Sequence, residues 1–351
     1  MKISLRNFRS SLAFTILAGV YILCGCSFGS TANIDAGMKA IAESDYESAI
    51  ASFDKAEKNG EDSQLLWRGK GIASMGLSDY PEAIKDLKKA LSFSDGRVTS
   101  LEYDICQYLA VAQYKSGDKE GAVETYTSIL SLEPKNSDAL YLRGKTYLGL
   151  GETDAAIDDF NAAVKCDAKN PDLYINIYES LSDAGFAEQG DTYLKSAMEL
   201  TELSEFQKGK LYFWRKEYEN ARDSFESAGK SDASPDIILY LGRTYEALGD
   251  ISYAASMYKD YLKKNPGDVS ICNQLGVCEM TNGDYKEALA AFEQGIAVND
   301  NEIMQSLKYN QIVAYEYLSD FKKAAVLMEA YLKDYPDDEK AKREYTFLST
   351  R

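Results

Sequence analysis

The fold can be predicted from residues 137–170, SDALYLRGKTYLGLGETDAAIDDFNAAVKCDAKN. Small residues stand at its positions 8 and 20, Gly144 and Ala156, and a large aromatic residue, Phe160, stands at position 24. Gly151 at position 15 separates two runs that are each long enough for a helix, and glycine tolerates the positive φ that often ends one. The stretch therefore predicts two helices joined by a tight turn and packed closely through their small residues.

The same arrangement recurs along the chain with a period of about 34 residues. Each unit has a small residue at position 8 or position 20, and a large apolar or aromatic residue at position 24. The prolines agree with this register, because Pro81 falls in the first turn of a second helix and the other five fall at unit boundaries. The nine units begin at residues 30, 64, 103, 137, 171, 202, 235, 269 and 305.

This pattern resembles the tetratricopeptide repeat. The resemblance implies an all-α fold, a right-handed superhelical α-solenoid of about nine helix-turn-helix units. We place the repeat array at residues 34–336. The polar stretch 337–351 is predicted to contain one further helix that caps the exposed end, as such arrays require. No change of composition marks a second domain.

Three places depart from the repeat pattern. Unit 5 has Tyr178 at position 8 and Gly190 at position 20, and it is three residues short. Unit 9 has Ile312 at position 8, and five extra residues follow unit 2 around residues 97–102. We expect irregular packing at these places.

The first 25 residues have the features of an export signal. A basic start precedes thirteen mostly apolar residues, 11–23, a run shorter than the roughly 20 residues that span a bilayer. The following Leu-Cys-Gly-Cys resembles the lipobox of bacterial lipoproteins. The resemblance implies cleavage after residue 25 and lipid attachment at Cys26, with residues 26–33 as a short linker on the extracytoplasmic side of a cell membrane or outer membrane. An ordinary cleaved signal and a short uncleaved anchor are the alternatives.

Composition excludes several classes of function. The 351 residues include no histidine, which rules out Ser-His-Asp and Cys-His catalysis and histidine-ligated metal sites. The 39 basic and 56 acidic residues give a net charge of −17, so no nucleic-acid partner is expected. The glycines at 69 and 71 lack the preceding strand and the lysine ending of a phosphate loop. We therefore expect no cofactor, no metal and no enzymatic activity.

Cysteines and paired carboxylates have simpler interpretations than reactive sites. Cys106 and Cys272 stand at position 4, a core position, and Cys166 ends a second helix. We expect buried free thiols, with disulfide chemistry as the alternative in an oxidising compartment. The pairs Asp158–Asp159 and Asp337–Asp338 lack calcium-loop spacing, so we expect solvated charges on helix surfaces.

The candidate binding site lies in units 6 and 7, on the first helices that line the concave groove in the repeat family. Leu211 and Tyr212 can face the core, which would turn Phe213 and Trp214 into the groove. Aromatic rings and arginines are frequent interface hot spots. The alternative is that these rings fill the inside of the superhelix or pack on the shortened unit 5. The candidate set, called the groove patch below, is Phe206, Lys210, Phe213, Trp214, Tyr240 and Arg243.

The sequence thus favours an exported, membrane-anchored scaffold that binds a protein or peptide partner without catalysis. One alternative is an accessory lipoprotein of envelope assembly or secretion. A more distant alternative is an enzyme acting on cell-wall glycan through paired carboxylates, which needs no histidine. The repeat pattern covers nearly the whole chain and leaves no inserted domain for such a site.

Overall fold

The computed structural model describes residues 31–61, 63–94, 99–230, 234–298, 303–336 and 338–351. All regular secondary structure in these ranges is helical, which confirms the predicted fold class. The nineteen helices are α1 Ala32–Ala42, α2 Tyr46–Lys58, α3 Gln64–Gly76, α4 Tyr80–Leu91, α5 Ser100–Ser116, α6 Lys119–Leu132, α7 Ser137–Leu150, α8 Thr153–Cys166, α9 Pro171–Asp183, α10 Ala187–Met198, α11 Glu205–Trp214, α12 Tyr218–Gly229, α13 Pro235–Leu248, α14 Ile251–Lys264, α15 Val269–Asn282, α16 Tyr285–Val298, α17 Met304–Tyr317, α18 Phe321–Asp334 and α19 Glu339–Leu348.

Helices α1 to α18 pair in order into nine repeats, with α1 and α2 forming repeat 1 and α17 and α18 forming repeat 9. The turn inside each repeat contains one residue with positive φ at position 15. Five repeats use glycine there, which adopts this conformation without a Cβ penalty. The other four place a side chain in the left-handed region, at Ser44, Ser78, Lys216 and Ser319. The turn position therefore holds serine or lysine as well as glycine.

An aspartate after the turn starts the second helix in several repeats. The carboxylate of Asp118, for example, accepts a hydrogen bond from the backbone N–H of Gly121 at 3.1 Å. This side chain satisfies one of the N–H groups that the first helical turn leaves open. The same capping bond is made by Asp45, Asp79 and Asp320.

Position 8 is where the two helices of a repeat approach most closely. In five repeats a glycine at this position lies against a fully buried ring at position 24, and an added Cβ would come closer than 3 Å to that ring. The predicted pairing of a small residue with a large one is therefore confirmed. The pairs are Gly37 with Phe53, Gly144 with Phe160, Gly209 with Phe225, Gly242 with Tyr258 and Gly276 with Phe292.

The three irregular places are accommodated in different ways. In repeat 5 the large Tyr178 at position 8 packs against Gly190, which takes the place of the usual alanine at position 20. In repeat 9, Ile312 at position 8 is buried with Met328, a flexible side chain that replaces the usual ring. Of the extra residues after repeat 2, residues 100–102 belong to α5, whose first turn is closed by a capping box between Thr99 and Glu102.

The described residues form two compact units that divide between Tyr193 and Leu194, within α10. Within each unit, substantial contacts join helices that are adjacent or next but one along the chain. Neighbouring helices of a unit therefore bury their apolar faces against one another. In the second unit, the predicted cap forms as α19, whose Ala341 and Leu348 are buried beside Ile312 and Met328 of repeat 9.

Two sequence-based expectations were wrong in part. Asp159 is not a solvated charge but is 6% exposed and held by the Arg143 guanidinium, with N–O distances of 2.8 and 2.7 Å. Asp338 caps α19 and accepts a hydrogen bond from Tyr331 at 2.7 Å. Asp337 lies outside the described residues.

The thiols are also not all buried. Cys272 is buried as expected, and so is Cys278. Burial raises the pKa of the Cys272 thiol to about 11 and that of the Cys278 thiol to about 12. Cys106 is half-buried, and Cys166, at the C-terminal end of α8, is exposed. The leader, Cys26 and most of the predicted linker lie outside the described residues.

Candidate partner-binding surface

Helices α11 and α13 of the second unit carry all six residues of the groove patch. Helix α11 begins with a capping box, in which Ser204 and Gln207 bond to each other's backbone N–H groups at 3.2 and 2.9 Å. Helix α13 begins with Pro235, whose missing N–H costs nothing in the first turn. On α11, Phe206, Lys210 and Phe213 follow at spacings of four and three, so they share one helix face.

The aromatic members form a contiguous cluster. The Tyr240 ring lies edge-on to Phe206 and to Phe213, with centroid distances of 5.8 and 5.7 Å. Phe213 in turn meets the edge of the Trp214 indole at 5.8 Å. Such edge-to-face arrangements are favourable for aromatic pairs. Tyr240 therefore joins α13 to α11 through ring contacts.

Both cations of the patch lie over aromatic faces. The Lys210 Nζ is 5.1 Å from the centroid of the Phe206 ring. The Arg243 guanidinium carbon is 4.9 Å from the Phe213 centroid and 6.0 Å from that of Tyr240. At these distances a cation is attracted to the ring face. The structure thus brings together aromatic and cationic residues that are up to 37 positions apart in the sequence.

Burial divides the patch into a base and a surface. Five of its members are half-buried, whereas Phe213 is only 9% exposed and belongs to a core cluster with Ala221, Phe225 and Leu241. Leu211 is fully buried, as expected, but Tyr212 is half-buried. Phe213 therefore supports the patch from beneath and does not present an open face in the groove.

Two contributors to this region were missed by sequence reasoning. Phe225 of α12 stacks on Tyr240 with centroids 5.5 Å apart and forms part of the floor. Glu246, three residues after Arg243, accepts hydrogen bonds from Tyr258 at 2.9 Å and from Gln274 at 3.0 Å. Burial raises the pKa of Glu246, and these bonds and Arg243 oppose that rise. Glu246 stands at position 12 of its unit, and the resemblance to the tetratricopeptide repeat implies that this position faces the groove, which was the available signal.

The side chains of the patch determine which contacts it can make. Its groups are aromatic rings, a lysine and an arginine, so it offers apolar contact and positive charge but no nucleophile paired with a base. Among the described residues, no cluster of three or more histidine, cysteine or acidic side chains could hold a metal ion. In the same part of the chain, no helix is long and apolar enough to cross a membrane.

The sequence profile of the tetratricopeptide repeat matches residues 34–97, 109–171 and 239–302, more than half of the chain. The chain belongs to the tetratricopeptide repeat family. Members of this family mediate protein–protein interactions, and the related repeat proteins are generally non-catalytic.

This tetratricopeptide repeat protein is similar to several curated proteins. A TPR repeat-containing protein of Methanocaldococcus jannaschii is 23% identical over 267 residues, which are 76% of this chain and 42% of the relative. Small glutamine-rich tetratricopeptide repeat-containing protein 2 of Saccharomyces cerevisiae is 30% identical over 101 residues, 29% of this chain and 28% of the relative. The chain therefore spans less than half the length of either relative.

Two further similarities cover more of the chain. DnaJ homolog subfamily C member 3 of Gallus gallus is 19% identical over 82% of this chain and 70% of its own length. The solved structure of a tetratricopeptide repeat protein from Parabacteroides merdae is 16% identical and covers 80% of this chain and 97% of its own, with a TM-score of 0.46.

Proposed function

We propose that this tetratricopeptide repeat protein is a non-catalytic scaffold whose groove patch binds a protein or peptide segment carrying an acidic and an apolar side chain. The observation that carries the proposal is the cluster on α11 and α13, where half-buried rings and two cations share one surface. Interface hot spots are rich in tryptophan, tyrosine and arginine. Half-buried rings already have little conformational freedom, so binding costs them little entropy.

Each half of the patch favours a different ligand group. Trp214 and Tyr240 offer apolar surface that a partner side chain would remove from water. Lys210 lies over Phe206 and Arg243 lies beside Tyr240. A partner carboxylate at either cation would gain charge-assisted hydrogen bonds that strengthen as water is excluded. Because the whole chain has a net charge of −17, an acidic segment would be attracted locally while the remaining surface repels it.

Peptides selected from a displayed random library on the full-length protein test this proposal. We expect the selected peptides to combine an acidic with an aromatic or aliphatic residue. Trp214→Ala and Arg243→Ala should each weaken binding of one selected peptide about fivefold or more, corresponding to roughly 1 kcal/mol. The control is Arg343→Ala, which removes an exposed arginine of the capping helix and should leave the dissociation constant unchanged.

Stability must be measured beside affinity, because a structural role would also weaken binding. If Trp214→Ala unfolds the second unit while Arg243→Ala leaves the affinity unchanged, the patch is a packing feature and the contact surface lies elsewhere. A selection without acidic residues would contradict the proposed role of Lys210 and Arg243.

We also propose that the protein is exported and anchored by lipid at Cys26 on the extracytoplasmic side of a cell or outer membrane. The support is the order of the N-terminal sequence, in which a basic start, an apolar run and Leu-Cys-Gly-Cys follow in register. Two or three acyl chains give stable anchoring, where a single chain would be marginal. Such an anchor would favour the narrower role of an accessory lipoprotein in envelope assembly or secretion.

A further inference from the structure

Lys70 of α3 ties repeat 2 to the repeat before it. Its ammonium group lies 3.0 Å from a carboxylate oxygen of Asp54 and 3.0 Å from one of Glu57, both on α2. The lysine side chain is only 13% exposed, whereas the two carboxylates are about half exposed. These two ion pairs therefore join repeat 1 to repeat 2 through the mostly buried side chain of Lys70.

Asp86 of α4 is a buried carboxylate next to this lysine. It is 1% exposed, and neither of its oxygens has a hydrogen-bond partner among the described residues. A buried carboxylate without hydrogen bonds is costly when ionised, so such a group favours its neutral form. Lys70 is the cation with the largest electrostatic effect on Asp86, yet it is bound to α2 instead.

Repeat 4 shows the other arrangement of the same two positions. Lys70 and Asp86 are each the seventh residue of their helices, and so are Arg143 of α7 and Asp159 of α8. In repeat 4 the cation stays within its own repeat and binds the carboxylate with two N–O distances of 2.8 and 2.7 Å. The paired helices of a repeat therefore allow a cation at the seventh residue of the first helix to bind a carboxylate at the seventh residue of the second helix.

We infer that Lys70 is a proton-controlled latch between repeats 1 and 2. With Asp86 neutral, the ammonium group stays on Asp54 and Glu57 and holds the two repeats together. With Asp86 ionised, the ammonium group moves to Asp86, as Arg143 binds Asp159 in repeat 4, and the tie to repeat 1 is released. The only chemical event is the loss of the Asp86 carboxyl proton to water, and no bond between heavy atoms changes.

The surroundings of Asp86 place its loss of a proton at a mildly acidic pH. Burial raises its pKa to about 6, and Lys70 opposes this rise. Between about pH 4 and pH 6 the native state therefore binds more protons than the unfolded state. The stability that the neutral Asp86 carboxyl contributes to the folded protein is full below about pH 4 and is lost as the pH rises through about 6. The charged groups that act on Asp86 are Glu57 on α2, Lys70 on α3, and Glu82 and Lys85 on α4. Asp54 on α2 shares the Lys70 ammonium group with Glu57.

Hydrogen exchange of the full-length protein, compared at about pH 5 and about pH 8 after correction for intrinsic rates, tests the latch. In the wild type, exchange in α1 and α2 should accelerate about threefold relative to α3 and α4 as the pH rises, the size expected for a partly exposed ion pair. Asp86→Asn should remove this response and keep α1 and α2 protected at both pH values. Lys70→Met should leave α1 and α2 less protected at both.

Asp159→Asn is the matched control, because it changes the equivalent carboxylate where the cation is already bound. It should loosen α7 and α8 at both pH values and leave the response of α1 and α2 intact. The latch is disproved if the wild type shows no relative change, or if Asp86→Asn retains it. Unchanged protection of α1 and α2 in Lys70→Met also disproves it, and that outcome does not depend on the Asp86 variant.

Discussion

Position 8 sets how closely the two helices of a repeat approach each other. Gly242 is an example, because the ring of Tyr258 fills the space in which a Cβ would lie, and Tyr258 is fully buried. This pairing of small and large residues could be predicted from the spacing alone. Charged partners could not be predicted, since Asp86 and Asp159 occupy the same position and only one of them is bound by the cation at the seventh position of the preceding helix.

At this scale we predict that Gly242→Ala destabilises the second unit by about 1–2 kcal/mol, because overpacking outweighs the gain in helix propensity. Gly267→Ala is the control, as an added Cβ would meet nothing within 4 Å there, and it should change stability by less than about 0.5 kcal/mol. Urea unfolding followed by circular dichroism measures both. Equal midpoints for the two variants would contradict the packing argument.

Repeat 5 differs from its neighbours as an element. Gly190, in place of the usual alanine, leaves room for Tyr178, so α9 and α10 stay in contact. Compared with the usual residue at each position, both residues appear in the sequence only as a loss of pattern, because the partner of each lies on the other helix. This compensation does not restore helix propensity, since glycine inside α10 costs about 0.5–1 kcal/mol relative to alanine.

We therefore predict faster hydrogen exchange in residues 171–201 than in α7 and α8 or in α13 and α14. In an array of nearest-neighbour contacts, the weakest repeat is where local opening is easiest. Mass spectrometry of peptic fragments from the native protein gives the comparison within one sample. Protection equal to that of repeats 4 and 7 would show that the contact between Tyr178 and Gly190 offsets the glycine fully.

For the molecule as a whole, periodicity predicted the number and order of the helices, including the cap. Periodicity could not orient the groove patch, because residues 211–214 are all nonpolar or aromatic and their packing depends on rings of other helices. Phe213 lies in the core, where the ring centroids of Tyr240 and Tyr218 are each 5.7 Å from its own. The remaining members of the patch lie at the partly exposed surface.

Anchoring is also a property of the whole molecule. We predict that the wild type labels with a palmitate analogue and partitions into the detergent phase, and that Cys26→Ser abolishes both. Cys166→Ser, which removes the exposed thiol of α8, is the control and should behave like the wild type. Labelling that persists in Cys26→Ser would place the modification elsewhere and remove the support for a lipid anchor.

The contacts between neighbouring helices also govern how the chain reaches its structure. Within each unit, partners are adjacent or next but one along the chain, so closing each contact requires only a short loop and little entropy. Folding dominated by such local contacts is fast and can begin at any repeat. A repeat can therefore complete its core against its immediate neighbours before the rest of the chain has folded.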